Sequence, residues 1–313
     1  MFSVIIPVYN KGEYIERAIN SIDLQSCDLV SEIIVVNDGS NDNSREIVKK
    51  LQILDSRIVL IDQFNQGVSS ARNKGVDNSN NPYVLFLDAD DEWRPNFVYT
   101  INSLIKRFPH CSVFSTAYSI EFPDKKFKNV TSEEVCDSNE GKEIKSYFKF
   151  SALGASPVWT SAVCVSKEAF DKVGGFPVGI THGEDKILWG KLALKFKFAW
   201  SPYVGAIYHM GTLNQSSGTW NPKKGREYLD FLTAIYQEDS FVNHDVFSAI
   251  VGQHRVIYNN SISRGYLRSA FKELYWLVRH DSLKSIPEHI ARLVIPNYLI
   301  MKIKSLMLSS NIP

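Results

Sequence analysis

Cysteine is scarce, and neither sign of charge is in excess. Cys27, Cys111, Cys136 and Cys164 are the four cysteines of 313 residues, and none forms a C-x-x-C pair. That spacing offers no structural zinc site and no redox motif; it predicts reduced, mostly buried thiols in a reducing compartment. Lys and Arg total 35 against 34 Asp and Glu, so the basic excess of nucleic-acid binders is missing and no nucleic-acid partner is expected. No apolar run approaches the ~20 residues of a spanning helix; the charge-free stretch 150–166 is interrupted by Gly154, Pro157 and serines. Met1 leads directly into Phe2-Ser3-Val4-Ile5-Ile6, without a basic region or cleavage signature, so no signal peptide is expected. The expectation is a soluble, cytoplasmic protein, with peripheral contact on the inner face of a membrane left open. G-x-G-x-x-G after the first strand, G-x-x-x-x-G-K-[ST] and G-x-S-x-G are all absent. So are solenoid-period repeats. The apolar fraction of 44% is that of an ordinary globular chain, which excludes a disordered tail or a rod.

What is present is alternation. Apolar runs Phe2–Val8, Glu32–Val36, Arg57–Ile61 and Tyr83–Leu87 read as strands. Between them lie helical patterns: Ile15, Ala18, Ile19 and Ile22; then Ile47, Val48, Leu51 and Leu54; then Val68, Ala71 and Val76. Four β-α units with uninterrupted apolar strands predict an α/β fold with a mostly parallel central sheet and helices on both faces. Ligands of such sheets sit beyond the carboxyl ends of the strands. Tyr9-Asn10, Asn37–Ser40, Asn65–Gly67 and Asp88–Asp91 all fall there. Further on, Phe122–Lys149 reads as surface excursions, Pro157–Val165 as a strand, Ile187–Phe196 as a helix and Tyr203–Ile207 as a strand. A mostly helical tail runs from Arg226 to about Leu308. The length suggests two domains, 1–220 and a helical 221–313.

Asp88 and Asp90 carry the sharpest chemical signal. Two residues apart at a strand end, they leave one face, and paired carboxylates want a cation between them. The alternative is an Asp-rich turn, with Asp91 pointing away to cap the next segment. Asn37-Asp38-Gly39-Ser40 offers either a carboxylate for a ligand N–H or plain turn and cap chemistry. Gly183-Glu184-Asp185 offers either a proton acceptor or an acidic helix start. His209 is a ligand candidate or a structural histidine.

Taken in order, the motifs Val4-Ile5-Ile6-Pro7-Val8-Tyr9-Asn10, Asn37-Asp38-Gly39-Ser40-x-Asp42, Asn65-x-Gly67 with Ala71-Arg72-Asn73, Asp88-Ala89-Asp90-Asp91, Gly174-Gly175-Phe176 and Glu184-Asp185 resemble glycosyltransferase family two, with the GT-A fold, over roughly residues 2–210. The resemblance implies a nucleotide-sugar donor (UDP-linked by preference), Mn²⁺ or Mg²⁺, and inversion at the anomeric carbon. It places Pro7, Val8, Tyr9, Asp38, Asn65, Gly67, Arg72, Asp88 and Ala89 around the donor. It places Asp90 and His209 at the metal, and Asp185 as general base beside Glu184. The family often has an acid where Asn37 stands. The implied acceptor is a saccharide or lipid-linked saccharide; a homo-oligomer is left open. A sugar nucleotidyltransferase and a non-catalytic nucleotide-sugar binding module are the competing readings. Asn214–Asn221 is a candidate lid. The stretch 283–308, rich in Ile and Leu with Lys284, Arg292, Lys302 and Lys304, is either a packed helix or a membrane-surface helix.

Overall fold

A computed structural model of the chain describes residues 1–23, 28–130, 141–152, 158–213, 220–238 and 243–280. Cys27, Cys136, residues 214–219 of the candidate lid and the whole stretch 283–308 lie outside them.

The first half alternates as the apolar periodicity dictates: β1 (Phe2–Val8), α1 (Ile15–Asp23), β2 (Val30–Asn37), α2 (Ser44–Leu54), β3 (Ile58–Asp62), α3 (Val68–Asp77) and β4 (Tyr83–Phe86). A two-residue β5 (Glu92–Trp93) and α4 (Phe97–Arg107) lead to β6 (Val113–Glu121), β7 (Phe127–Val130), β8 (Lys142–Ile144) and α5 (Tyr147–Ser151). Then come β9 (Val163–Ser166), α6 (Lys167–Val173), α7 (Glu184–Ala193) and β10 (Phe198–His209), followed by α8 (Pro222–Gly225), α9 (Glu227–Glu238), α10 (Asn243–Ser263) and α11 (Leu267–His280).

One mixed sheet holds all the described strands, in the order β3-β2-β1-β4-β9-β6-β10-β5, with β7 on β6 and β8 on β10. The β3-β2-β1-β4 part is parallel, β9 enters antiparallel between β4 and β6, and β6 runs parallel to β10. The carboxyl ends of β1, β2, β3, β4, β6 and β10 therefore share one rim. Alternation along β1 and β2 fills two cores. Ile5, Ile34 and Val36 join Phe86, Phe176 and Trp189 on one face, while Val4, Ile6 and Val35 join Leu85, Phe97 and Ile101 on the other. Leu229 and Leu232 of α9, with Val246 and Ile250 of α10, pack into the first of these cores. No helix among the described residues is long and apolar enough to cross a membrane.

Beyond β4, four segments differ from the sequence reading. The segment before β9 is a single 3-10 turn, Thr160–Ala162, not strand, because Ser161 turns inward: its carbonyl accepts the Trp93 indole N–H at 2.7 Å. Phe122–Lys149 is not all surface, since Ile144, Tyr147 and Phe148 are buried. α7 begins at Glu184, not Ile187, with Gly183 as its N-cap at φ 82°. β10 begins at Phe198, ahead of Pro202, which falls inside a register irregularity between Ser201 and Val204. A bulge is where a strand tolerates proline.

Candidate active site

On the rim, loops from distant parts of the sequence are tied by side chains acting as surrogate backbone. In the β1–α1 loop Asn10 takes φ 53°. Its N–H donates to Ser40 Oγ, Lys11 N–H to Ser44 Oγ and Gly12 N–H to Asp42 Oδ2, at 2.9–3.0 Å. Asp42 is thereby held below the ordinary carboxylate range: burial pushes it up, but the hydrogen bonds from Ser44 and Gly12 outweigh that.

Asp38, buried, folds the β3–α3 loop around itself. Oδ1 accepts from Gln63 Nε2 and Gln66 N–H, and Oδ2 from Gly67 N–H, all within 2.9 Å. Gly67 takes φ 88°, in the left-handed region that favours glycine. Pro7 and Val8 are buried at the end of β1, Tyr9 stands 41% exposed on the rim, and Asn65 is exposed on the loop that Asp38 organises. Asn37 has a local reason to be an amide. Its Nδ2 donates to Asp62 Oδ1 at 2.9 Å, and Asp62 also takes Arg45 through two nitrogens. A second carboxylate at position 37 would face Asp62 with no proton to offer.

Asp88–Asp91 is a turn, closed by Asp91 N–H to the Asp88 carbonyl at 3.0 Å. β4 ends at Phe86, so strand alternation no longer sets these side chains, and each acid takes its own partner. Asp88 pairs with Arg72 at 2.7 Å. Asp90 Oδ2 accepts from Lys11 Nζ at 2.7 Å and from the Thr212 hydroxyl at 2.5 Å. Asp91 does not cap the following segment. It is buried, and it accepts from Ser161 Oγ (2.6 Å), Trp159 Nε1 (3.1 Å) and His209 N–H (3.4 Å). Burial, then the charges of Asp90 and Asp88, push it well above the usual carboxylate range. Ala89, within the turn, is buried. A groove of about 620 Å³ lined by Glu13, Arg17, Glu92 and Arg94 adjoins it; Arg17 donates to the Asp90 carbonyl at 2.5 Å.

Arg72 is the electrostatic centre. It is 4% exposed, lies 5.0 Å from the Phe176 ring centroid, and joins Asp88 to Glu184, itself reaching Glu184 (3.1 Å) across 112 residues of sequence. The neighbouring Asn73 welds α3 to the Gly174–Phe176 turn: Nδ2 donates to the Phe176 carbonyl and Oδ1 accepts Phe176 N–H, both at 2.9 Å. Trp189, fully buried against Phe86 and Phe176, fixes α7. Glu184 and Asp185 are thus presented in the first turn of that helix. Burial and the Asp185 charge push Glu184 up to about 7, against the pull of Arg72.

His209 ends β10 with Nδ1 on Glu121 and Nε2 3.7 Å from Glu92 Oε1. The sequence reading did not single out Lys11, Gln63, Ser161 or Thr212; nothing in their local sequence separates them from loop polar residues. Among the described residues, His110, Cys111 and Glu143 form a cluster with metal-ligand spacing. It lies near the amino ends of β6 and β10, with Glu143 on β8, at the end of the strands opposite the rim, and Lys197 already pairs with Glu143 at 2.9 Å.

Residues 3–173 match the family model described as Glycosyl transferase family 2. Glycosyltransferase GlyA of Streptococcus pneumoniae serotype 4 is 35% identical over 166 residues, 49% of this chain but 23% of that protein. The chain therefore spans under a quarter of that relative's length. Two solved structures share the fold. S. aureus TarS 1-349 in complex with UDP-GlcNAc aligns with TM-score 0.69 at 18% identity, over 94% of this chain and 84% of that one. GalNAc-T7 with UDP, GalNAc and Mn2+ aligns with TM-score 0.54 at 15% identity, over 67% and 44%. The GT-A sheet, the tied rim loops and a family match covering more than half of its length agree: the chain belongs to glycosyl transferase family 2.

Proposed function

We propose that the chain is an inverting glycosyltransferase that moves a sugar from a UDP-sugar to a hydroxyl of a saccharide or lipid-linked acceptor. The observation that carries the proposal is the Arg72 bridge. It places Asp88, beside the loops that would take a nucleotide, next to Glu184 and hence Asp185, a candidate proton acceptor. TarS in complex with UDP-GlcNAc and GalNAc-T7 with UDP and Mn²⁺ supply the donor and metal classes by analogy of fold.

In this reading Asp38 and the loop it holds meet the base, with Pro7, Val8, Tyr9, Asn65 and Gly67 bordering it. Asp88 and Ala89 face the ribose and diphosphate. Asp185 takes the proton of the acceptor hydroxyl as it attacks. Glu184 keeps Arg72 in place beside it. Asp90 fits a divalent cation: its Oδ2 already holds a cation and a hydroxyl in hard-oxygen surroundings. Asp90, with His209 as second candidate, would hold Mn²⁺ or Mg²⁺. When bound, the ion supplies Lewis-acid neutralisation of charge on the leaving diphosphate. Residues 1–220 would carry this chemistry and 221–313 acceptor, partner or membrane-surface contacts.

The nucleotidyltransferase reading is disfavoured by a specific feature. It needs loop amides after β1 for a triphosphate, yet those of Asn10, Lys11 and Gly12 are spent on Ser40, Ser44 and Asp42. Heat unfolding against a panel of nucleotide-sugars, with and without Mn²⁺, tests the proposal. Protection by UDP-sugars that requires the metal is expected; no protection by any nucleotide-sugar overturns it.

A further inference from the structure

Lys11 is the least expected member of the site. Its backbone is pinned by Ser44 at 2.9 Å, and its side chain reaches across the rim to two oxygens. The ammonium donates to Asp90 Oδ2 at 2.7 Å and to the Leu213 carbonyl at 2.6 Å. The same Asp90 oxygen accepts the Thr212 hydroxyl at 2.5 Å, and Leu213 N–H donates to the Tyr14 hydroxyl at 3.2 Å. One carboxylate thus gathers a cation from the β1–α1 loop and the segment that leaves β10. The Lys11 and Asp90 side chains are 11% and 12% exposed, so the pair is largely out of water. The compensation differs from that of Asp88. There the guanidinium is buried and fixed by a second acid and a ring. Here the ammonium sits on a flexible four-carbon stem that can leave without disturbing a core.

We propose that Lys11 is an internal counter-cation that occupies the cation position of Asp90 until a divalent ion displaces it, and that this exchange loosens the 210–213 segment from the rim. The inference rests on Asp90 as a metal-holding residue. Lys11 then acts through Asp90, as a positioning residue that sets the ion concentration at which the site fills. A carboxylate that has lost its ammonium to the metal no longer holds the Leu213 carbonyl through it, so filling the site removes one of the three ties on residues 210–213 and leaves those of Thr212 and Tyr14.

The test uses the full chain without donor and Mn²⁺ alone as probe. Unbound Mn²⁺ is read by electron paramagnetic resonance for wild type, Lys11→Met, Lys11→Gln, Lys11→Arg and Asp90→Asn. Both neutral variants are expected to bind roughly tenfold tighter, the gain from removing an occupant present about nine-tenths of the time. Lys11→Arg should stay near wild type. Chymotrypsin cleavage at Leu213 should rise with Mn²⁺ in wild type and be high without it in Lys11→Met. Unchanged or weaker Mn²⁺ binding in both neutral variants, with Asp90→Asn losing the site, overturns the role of Lys11 and leaves the metal site standing. Mn²⁺ binding that survives Asp90→Asn overturns the metal site itself. A merely structural Lys11 would not raise metal affinity when removed.

Discussion

Replacing Arg72 by Met tests whether the site is held together electrostatically. The guanidinium meets Asp88 at 2.7 Å and Glu184 at 3.1 Å, with its side chain 5% exposed. At an effective dielectric of about 20, contacts of that length attract by about 6 and 5 kcal/mol. Desolvation of the three groups takes back most of this, so the pairs add little net stability. Deletion is another matter. Met fills much of the space against Phe176 but leaves two acids facing a cavity without a cation, next to Asp185. Breaking a buried pair in this way costs about 3–5 kcal/mol. The cost should depend on pH. Near pH 5 Glu184 carries its proton, since its folded value is about 7, and only the Asp88 pair is then lost. Urea unfolding of wild type and Arg72→Met at pH 7.5 and pH 5 measures both. The expected destabilisation is large at the higher pH and clearly smaller at the lower. A loss below about 1 kcal/mol, equal at both, would refute the claim that Arg72 compensates these acids, because that is the range of exposed pairs.

Asp185→Asn should keep UDP-sugar binding by calorimetry and lower turnover by about 10²–10⁴, as for a positioned proton acceptor; wild-type turnover would make Asp185 a helix-start residue only. Glu184 binds its proton more tightly folded than unfolded, so stability falls as pH rises from about 4.5 to about 7. Asp91 is shifted in the same direction. Glu184→Gln should therefore flatten part of the fall in melting temperature over that window, and an unchanged slope would show that Glu184 is not the group titrating.

Most of the parallel half-sheet can be read from sequence because its strands are uninterrupted apolar runs and its loops carry Gly, Asn and Asp at the turns. The rim loops followed from the same pattern. The later boundaries did not, and the reasons are local. Ser161 sits in an apolar context that looks like strand, but its hydroxyl is taken by Asp91, 70 residues away. The start of α7 is hidden because acids lead it and the first apolar residue comes three later. Asp88 and Asp90 were recognisable as a pair, yet their separate partners depend on Arg72 from α3 and Lys11 from the first loop, contacts 16 and 79 residues apart. Side-chain pairings of that reach leave no period in the sequence.

The antiparallel entry of β9 also sets how the chain can be cut. β9 is hydrogen-bonded to β4 on one side and β6 on the other, and the segment just before it supplies two partners of Asp91, Trp159 and Ser161. A fragment ending before Val163 would turn β4, an interior strand, into a bare apolar edge, open to pairing with other chains. One ending before Trp159 would also strand a buried acid without Ser161 and Trp159. The smallest piece able to fold around the nucleotide-facing loops must therefore run through β9 and, because Asn73 clasps Phe176, through the turn after α6. An expression fragment drawn by counting four β-α units alone would end with α4 at Arg107, before β9 and the Phe176 turn, and its failure would say nothing about the site.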